Sequence, residues 1–379
     1  MNSESSSAME LTTMSETPTL ISDSYNNNTT HSATVDFTPW EKQVLRTVIT
    51  FFNEYLPPVL ITIGIIGNVL AFVVLKNPKF RKQSTCVYMR ALACFDSYTL
   101  IVHTLQRYLL QMFPDPFWSL GDFFCKEYLF LGYLAWTISH WTIVLMTIDR
   151  FIAVRFPLQS SAICTTSRAK ILIIVMTVTF ITFHLQQFWR VVDDEGAVLK
   201  FKCPYDYRVI AQEYEIVFQH LFVTITLVIP IVCVFVFNVL IVYTVRASHK
   251  KHQELGIKQS TNTKQRRVGT DDQITVMLLL VSWVFTLTLT PFTLDHFIFD
   301  FGLSISANSS SRLALIRMMT YETSVNLQAI NPCCNFFMYC LGCQKFRLVL
   351  RSLFNLRRDG LQKGTTQTKT SDVSVSEVF

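Results

Sequence analysis

Cys125-Lys126-Glu127, an uncharged run from Tyr128 to Ile148, then Asp149-Arg150-Phe151-Ile152-Ala153-Val154: this stretch decides how the rest of the chain is read. The run holds no Asp, Glu, Lys or Arg and, as a helix, is long enough to cross a bilayer core of about 30 Å. A thiol stands at its first end. Its last end carries an acid–base pair that cannot sit cheaply in hydrocarbon. From Cys125 to Arg150 is roughly 37 Å of helix at about 1.5 Å per residue. The helix therefore brings a thiol to one face of a membrane and a guanidinium to the other. Taken alone, Asp149-Arg150 is no more than a charged pair beside a membrane helix; the other spans give it meaning.

Composition agrees with a membrane setting. Half of the 379 residues are hydrophobic, 31 are Phe and only 16% are charged, against about 25% in a soluble protein. The apolar residues come in long blocks rather than at amphipathic spacing. The chain reads as a polytopic membrane protein, so its net charge of +6 is a matter of topology and implies no nucleic-acid partner. Residues 1–46 read as a disordered tail. Positions 1–39 lack Lys and Arg, carry Glu4, Glu10, Glu16, Asp23 and Asp36, and are rich in Ser, Thr and Asn, a composition that cannot bury enough apolar surface to fold alone. The tail lacks the basic start and apolar core of a cleaved signal peptide, so the first membrane helix is expected to insert the chain. Asn27 and Asn28 head overlapping glycosylation sequons, of use only if this end lies outside the cell.

The first span runs from about Thr50 to Leu75 and contains Asn68, whose amide needs partners on other helices. Lys76, Lys79, Arg81 and Lys82 follow with no acid among them, which places that loop in the cytosol. The second span, about Thr85 to Leu110, buries Asp96. The loop after it carries Asp115 and Asp122 without a base, as expected outside. Arg155, Arg168 and Lys170 mark a second cytosolic loop before the fourth span, Ile171 to Trp189. The next loop holds Cys203 and a strand-like run, Val198-Leu199-Lys200-Phe201-Lys202. The fifth span, Ile216 to Val245, carries Pro230, which kinks a helix and frees a carbonyl. Arg246 to Asp272 is a basic, polar, cytosolic loop. The sixth span is Ile274 to Leu294. The seventh is the weakest by hydropathy, with Arg317 and Glu322 near its start. Residues 47–342 form this seven-helix domain, and 343–379 form a cytosolic segment carrying Lys345, Arg347, Arg351, Arg357 and Arg358.

Seven spans, with a cysteine opening the third and Asp-Arg-Phe closing it, resemble the rhodopsin-like (class A) G-protein-coupled receptors. Their third helix starts at a disulfide cysteine and ends in Asp-Arg-Tyr; Phe151 keeps the ring and loses the hydroxyl. Leu92-Ala93-Cys94-Phe95-Asp96 is similar to the family's Leu-Ala-x-x-Asp. Phe285 and Pro291 match the family's Phe-x-x-Cys-Trp-x-Pro, but Leu289 replaces the tryptophan, and the fourth span lacks the usual mid-helix tryptophan. Two registers compete in the seventh span. Asn331-Pro332 looks like the start of Asn-Pro-x-x-Tyr, whereas Asn335-Phe336-Phe337-Met338-Tyr339 keeps Asn and Tyr and loses Pro. The second register is preferred, because Phe346-Arg347 follows at the spacing of family members in which an amphipathic eighth helix begins. The run Gln344-Lys345-Phe346-Arg347 resembles invertebrate neuropeptide receptors, including those for FMRFamide-type peptides. The implied fold class is an all-α membrane protein, a seven-transmembrane helix bundle with an amphipathic eighth helix.

The resemblance implies roles residue by residue. Asp149, Arg150 and Phe151 would couple to a heterotrimeric G protein, and Phe285, Pro291 and Tyr339 would act as switch residues. Asp96 with Ser139, Asn331 and Asn335 would hold a sodium ion as an allosteric ligand; no cofactor is expected. The duller reading of Asp96 is a protonated acid in a polar network that holds helices together. Cys125 would be disulfide-bonded, and topology leaves Cys203 as its partner in the oxidising compartment. Helical spacing from the motif residues puts Gln106 and Arg107 on the outer half of the second helix, Tyr133 and Trp136 on the third, Asp295 and His296 on the sixth, and Tyr321 and Glu322 on the seventh. They outline a ligand cavity lined by Arg107, Asp295 and Glu322, although Arg107 could equally pair with Glu322 to hold helices. Phosphorylated Thr365, Thr366, Thr368, Thr370, Ser371, Ser374 and Ser376 would be read by an arrestin-type partner. The terminal Glu377-Val378-Phe379 would suit a PDZ-type sheet edge.

Other classes fare worse. No His-x-x-x-His pair, phosphate-binding glycine loop or nucleophile elbow appears, so the chain is not read as an enzyme. A polytopic transporter is the rival from another class, and no internal repeat supports it. An amine receptor would want Asp where Gly132 stands, and an opsin would need a lysine within residues 311–344, which contain none. The reading is a plasma-membrane receptor with its first end outside. It binds an extracellular ligand, a neuropeptide first and a lipid or other small molecule as the alternative, and activates a cytosolic G protein.

Overall fold

Where no water reaches, a backbone must satisfy its own polar groups, and a helix does so within one segment. The computed structural model describes residues 38–81, 83–112, 122–186, 188, 212–254, 262–298 and 311–354, and among them there is no strand. Asn27, Asn28, Cys203, the strand-like run at 198–202, the tail hydroxyls and Glu377-Val378-Phe379 lie outside the described residues, as does the side chain of Cys125.

Among the described residues seven long rods make up the bundle. α1 is continuous over Pro39–Leu75 with a π-helical turn at Phe51–Tyr55, and α2 comprises Ser84–Thr99, a π turn at Leu100–Leu105 and Gln106–Met112. α3 is Asp122–Arg155, and α4 is Thr166–His184, reached through a short helix at Pro157–Ile163. α5 comprises Gln212–Val223, a π turn at Thr224–Val228 and Ile229–Glu254; α6 is Asn262–His296 and α7 is Ser311–Gly342. A further helix, α8, covers residues 344–354.

Several ends fall outside the hydropathic limits. Residues 39–46 are helix rather than tail, because Thr38 and Glu41 form a capping box: Glu41 N–H donates to Thr38 Oγ1 at 3.3 Å and Thr38 N–H to Glu41 Oε2 at 2.8 Å. α5 and α6 extend to Glu254 and back to Asn262, through most of the stretch read as a polar loop. A helix end in water needs no apolar face, so hydropathy could not mark it. α4 stops at His184, short of Trp189. Among the described residues five helices, α1 and α3 to α6, are long and apolar enough to cross a membrane. α2 and α7 fall below that threshold; α7 was expected to be the weak one, α2 was not.

α3 runs through the middle, packed on α2, α4 and α5 and touching α6, while α7 closes the ring between α6 and α1. One buried cluster links them, including Leu92 on α2, Met146 on α3, Phe285 and Leu289 on α6, and Tyr339 on α7. Pro230 has no N–H to give Thr226, four residues earlier. His140 Nδ1 donates to that carbonyl at 3.1 Å, and Trp141 Nε1 donates to Ile225 O at 3.0 Å. The carbonyls left over by the proline and its π turn thus fasten α5 to α3. α8 is amphipathic: Phe346 and Val349 are buried while Gln344 and Arg351 are exposed, and Arg347 Nη1 donates to the end carbonyls of α7, Cys340 O at 2.7 Å and Leu341 O at 3.1 Å.

At the same end α6 and α7 come together without side chains between them. A Cβ on Gly342 would lie 2.6 Å from Met277 Cα and 2.7 Å from its Cβ, and Gln344 N–H donates to Gln273 Oε1 at 3.1 Å. Backbone cannot give way as a flexible side chain can. Gly342→Ala should therefore cost about 1–3 kcal/mol by overpacking. The measurement is the thermal unfolding midpoint of detergent-solubilised protein; an unshifted midpoint would mean that the two helices are not held at this distance.

Candidate functional site

The polar residues of the bundle form three levels along its length. At one end, Asp149 accepts from Ser84 Oγ at 3.0 Å and Thr85 Oγ1 at 2.8 Å, both on α2. Its neighbour Arg150 turns the other way and donates from Nε to Thr275 Oγ1 on α6 at 2.8 Å. Both are buried. Adjacent residues on a helix point about 100° apart, so this pair fastens α3 to two different helices. Phe151 uses its ring alone, packing on Phe237 of α5 with centroids 5.3 Å apart. Cys164, in the link to α4, donates to Asp149 O at 3.5 Å. Burial, then the Asp149 carboxylate, push its thiol up to about 12, so it stays a neutral donor.

The middle level centres on Asp96, which is fully buried. Ser139 Oγ on α3 donates to Oδ1 and Asn335 Nδ2 on α7 donates to Oδ2, each at 2.5 Å. Asn68 Nδ2 on α1 donates to Pro332 O at 3.1 Å. Asn335, not Asn331, thus reaches the carboxylate. In the same register Tyr339 is buried with its ring 5.7 Å from that of Phe346 on α8, while its hydroxyl has no partner. Asn331 faces a cavity that Ser139 also lines, and its buried Oδ1 has no partner. These oxygens suit a hard cation. Among the described residues no group of three His, Cys, Asp or Glu could hold a softer metal.

The third level lies toward the opposite end. Arg107 Nη2 meets Glu322 Oε2 at 2.6 Å and Asn53 Oδ1 at 3.4 Å, joining α2 to α7 and α1. Asp295 is buried and accepts from Thr320 Oγ1 at 2.7 Å. Aromatic contacts fill the space between them. Trp136 sits 4.0 Å from the His103 ring and 5.8 Å from that of Phe292, which also meets His296 at 4.7 Å and Tyr321 at 6.3 Å. Tyr133 packs edge-on against Phe222 of α5. The cavity beneath them lies between α1, α2, α3 and α7. Arg107 and Trp136 line it; Glu322 borders it through its ion pair, and the other outer-pocket candidates, including the half-buried Gln106, are not on its wall.

Three contributors escaped the sequence reading. His140 links α5 to α6, since its ring also lies 5.4 Å edge-on from Phe285; Phe285 is fully buried on α6, the helix that also contains Pro291. Its spacing from Arg150 was there to be read, but a lone membrane histidine gave no chemistry. Thr275 carried no signal, as threonine is common in such helices. Gln328, buried on the cavity wall with both ends of its amide unpartnered, stood out only as a polar residue in a weak span.

The family model for the 7 transmembrane receptor (rhodopsin family) matches residues 67–339. The FMRFamide receptor of Drosophila melanogaster is 25% identical over 308 residues, covering 78% of this chain but 52% of that protein, so the match spans about half of its length. The human thyrotropin-releasing hormone receptor is 25% identical over 334 residues, 83% of this chain and 80% of that one. Cysteinyl leukotriene receptor 1 of Cavia porcellus is 23% identical over 345 residues, 90% of this chain and 91% of that one.

If the outer ion pair acts as one unit, Arg107→Met and Glu322→Gln should each lower thermal stability by about 1–3 kcal/mol, and the double variant should lose no more than the worse single. Additive losses in the same melts would mean that the two side chains stabilise the bundle separately.

Proposed function

Because the chain belongs to the rhodopsin family of seven-transmembrane receptors, a multi-pass membrane family of receptors rather than enzymes, we propose that it binds an extracellular peptide and activates a cytosolic heterotrimeric G protein. The observation that carries this reading is the Arg150–Thr275 clasp. It ties α3 to α6 at the end where Lys76, Lys79, Arg81, Arg155, Arg168 and Lys170 gather, which by the positive-inside rule is the cytosolic end; the first end of the chain is then outside. A ligand that binds more tightly when the clasp is open shifts the population toward that state. Arg150, Asp149 and Phe151 then meet the G protein. His140, Phe285 and Pro291 carry the change from the outer cavity inward, and Tyr339, whose hydroxyl is unpartnered, takes a new neighbour.

A sodium ion would be held by Asp96, Ser139 and the free oxygen of Asn331, with Asn335 steadying the carboxylate; bound there, it supplies positive charge that keeps Asp96 ionised. Cys125 and Cys203 form one disulfide outside, so either Cys→Ser change should reduce surface expression and the double change should be no worse. Strictly additive losses would separate the two thiols. The phosphorylated tail engages an arrestin, and the terminal residues a PDZ-type domain. The similarity to the FMRFamide and thyrotropin-releasing hormone receptors supports a peptide. The leukotriene receptor, which matches over more of the chain, supports a lipid as the second reading. The polar wall of the cavity favours the peptide.

Opening the clasp needs no ligand to test. Thr275→Ala removes the acceptor of a charged hydrogen bond, worth about 1.5–3 kcal/mol, and should raise ligand-independent signalling about tenfold or more. Adding Arg150→Ala to it should abolish that signal at equal surface expression. Basal signalling unchanged by Thr275→Ala would remove the clasp from the mechanism.

A further inference from the structure

Arg90 has no part in the clasp, in the Asp96 network or in the outer ion pair, and among the described residues no hydrogen bond or ion pair holds it. Thr85 bonds Asp149 at the cytosolic end of the bundle. The backbone of Arg90 lies roughly 8 Å deeper along α2, at about 1.5 Å per residue. A guanidinium is costly in hydrocarbon. Side chains on a helix lean toward its N-terminus, which for α2 is the cytosolic end, so the half-buried Arg90 carries its charge back to the level of the lipid headgroups. Cys94, one turn further on the same face, is exposed in mid-helix and so faces lipid.

Two other helices bring cations to this place. Lys76 ends α1, and its Nζ lies 5.0 Å from the Phe72 ring centroid, one turn back into the membrane; its charge reaches the Cys94 thiol. Lys345 of α8 holds Nζ 5.1 Å from the ring of Phe80, in the link between α1 and α2. Arg90 and Lys345 both act on the buried Cys86. Residues 56–95 and 323–358 contain no Asp or Glu, and the acids Asp96 and Asp149 already accept from other helices. Like charges gathered without an anion repel one another, so three of them at one lipid-facing corner call for an anion from outside the chain.

Position and chemistry narrow what that anion is. Val69 and Val73 of α1 are exposed beside it and suit acyl chains, which a free phosphate lacks. A guanidinium takes phosphate oxygens two at a time. The phosphate attached directly to glycerol is the one that stands at the hydrocarbon boundary, where Arg90 arrives. A choline ester of it brings its own cation into the group of three. The further phosphates of an inositol lipid reach out into the cytosol, toward the exposed Lys79 and Arg81 and away from Arg90. A bare phosphomonoester carries a charge of about −1.5 to −2 near neutral pH, which matches the cations best.

We propose that the corner formed by α1, α2 and α8 binds phosphatidic acid of the inner leaflet, with Arg90 forked onto its phosphate and Lys76 and Lys345 completing the charge. Neither the extracellular ligand nor the G protein enters into this site.

The test is native mass spectrometry of the purified full chain in mild detergent, titrated with phosphatidic acid or with phosphatidylcholine of the same acyl chains. Phosphatidic acid should bind about tenfold or more tightly. Arg90→Gln should remove most of that preference, while Arg351→Gln, on the exposed side of α8, should keep it. Should Arg90→Gln not be recovered folded, Lys76→Gln, at an exposed helix end, carries the comparison with a loss of about threefold. Equal binding of the two lipids would overturn the site. So would a loss as large in Arg351→Gln, which would mean diffuse attraction to a basic surface. Competition by inorganic phosphate at the concentrations that suffice for the lipid would show a soluble ligand instead. Tighter binding of an inositol bisphosphate lipid that survives Arg90→Gln and fails in Lys79→Gln would move the site out to the loop, and overturns the proposal as well.

Discussion

A carboxylate with no access to water has to be held by its neighbours or give up its charge, and Asp96 organises the bundle by that requirement. Ser139 and Asn335 reach its two oxygens from α3 and α7, so the acid of α2 binds three helices at one point. Asn68 brings in α1 by way of the Pro332 carbonyl. The apolar cluster around this point supplies adhesion, but greasy helices slide and rotate against lipid or each other at little cost. The polar contacts fix which faces meet. The helices that carry most of these groups, α2 and α7, are for that reason less hydropathic than the other five.

Much of this was legible. The uncharged run ending at Asp149-Arg150, the seven blocks and the carboxylate of Asp96 are written in residue types that a bilayer cannot hide. The register of α7 was legible too, from the spacing of Asn335, Tyr339 and Phe346. The structure gives that spacing its cause, because one helical face must meet Asp96 and α8 together. The carbonyl freed by Pro230 was foreseeable; that His140 would take it was not, because a donor on another helix cannot be assigned without knowing how the helices are rotated.

What stayed hidden is of two kinds. Helix ends beyond the hydrocarbon leave no hydropathic trace, so α1, α5 and α6 each run further than the sequence allowed. Partners across the bundle leave none either. Arg107, Glu322 and Asp295 all lie toward the end opposite Asp149 and Arg150, but they are occupied: Arg107 by Glu322, Asp295 by Thr320. The open polar surface lies deeper and toward α1, where Gln328 and Asn331 carry unpartnered buried atoms; Asn331 stood out in the sequence as a sodium ligand, Gln328 did not. Unsatisfied groups are a property of an arrangement, not of a chain.

The π turns bear on how such a protein changes over generations. Each adds about one residue to a helical turn, and everything beyond it is rotated by roughly 100° relative to an uninterrupted helix. Those of α1, α2 and α5 lie at Phe51–Tyr55, Leu100–Leu105 and Thr224–Val228, each farther from the Asp149–Arg150 end than the residues that anchor its helix, Asn68, Asp96 and Pro230. Deleting a single residue from one of them would swing a different set of side chains toward the ligand and leave the inner half in register. Recognition in this fold can therefore be revised by insertion and deletion, in jumps, while the signalling half inherits its contacts unchanged.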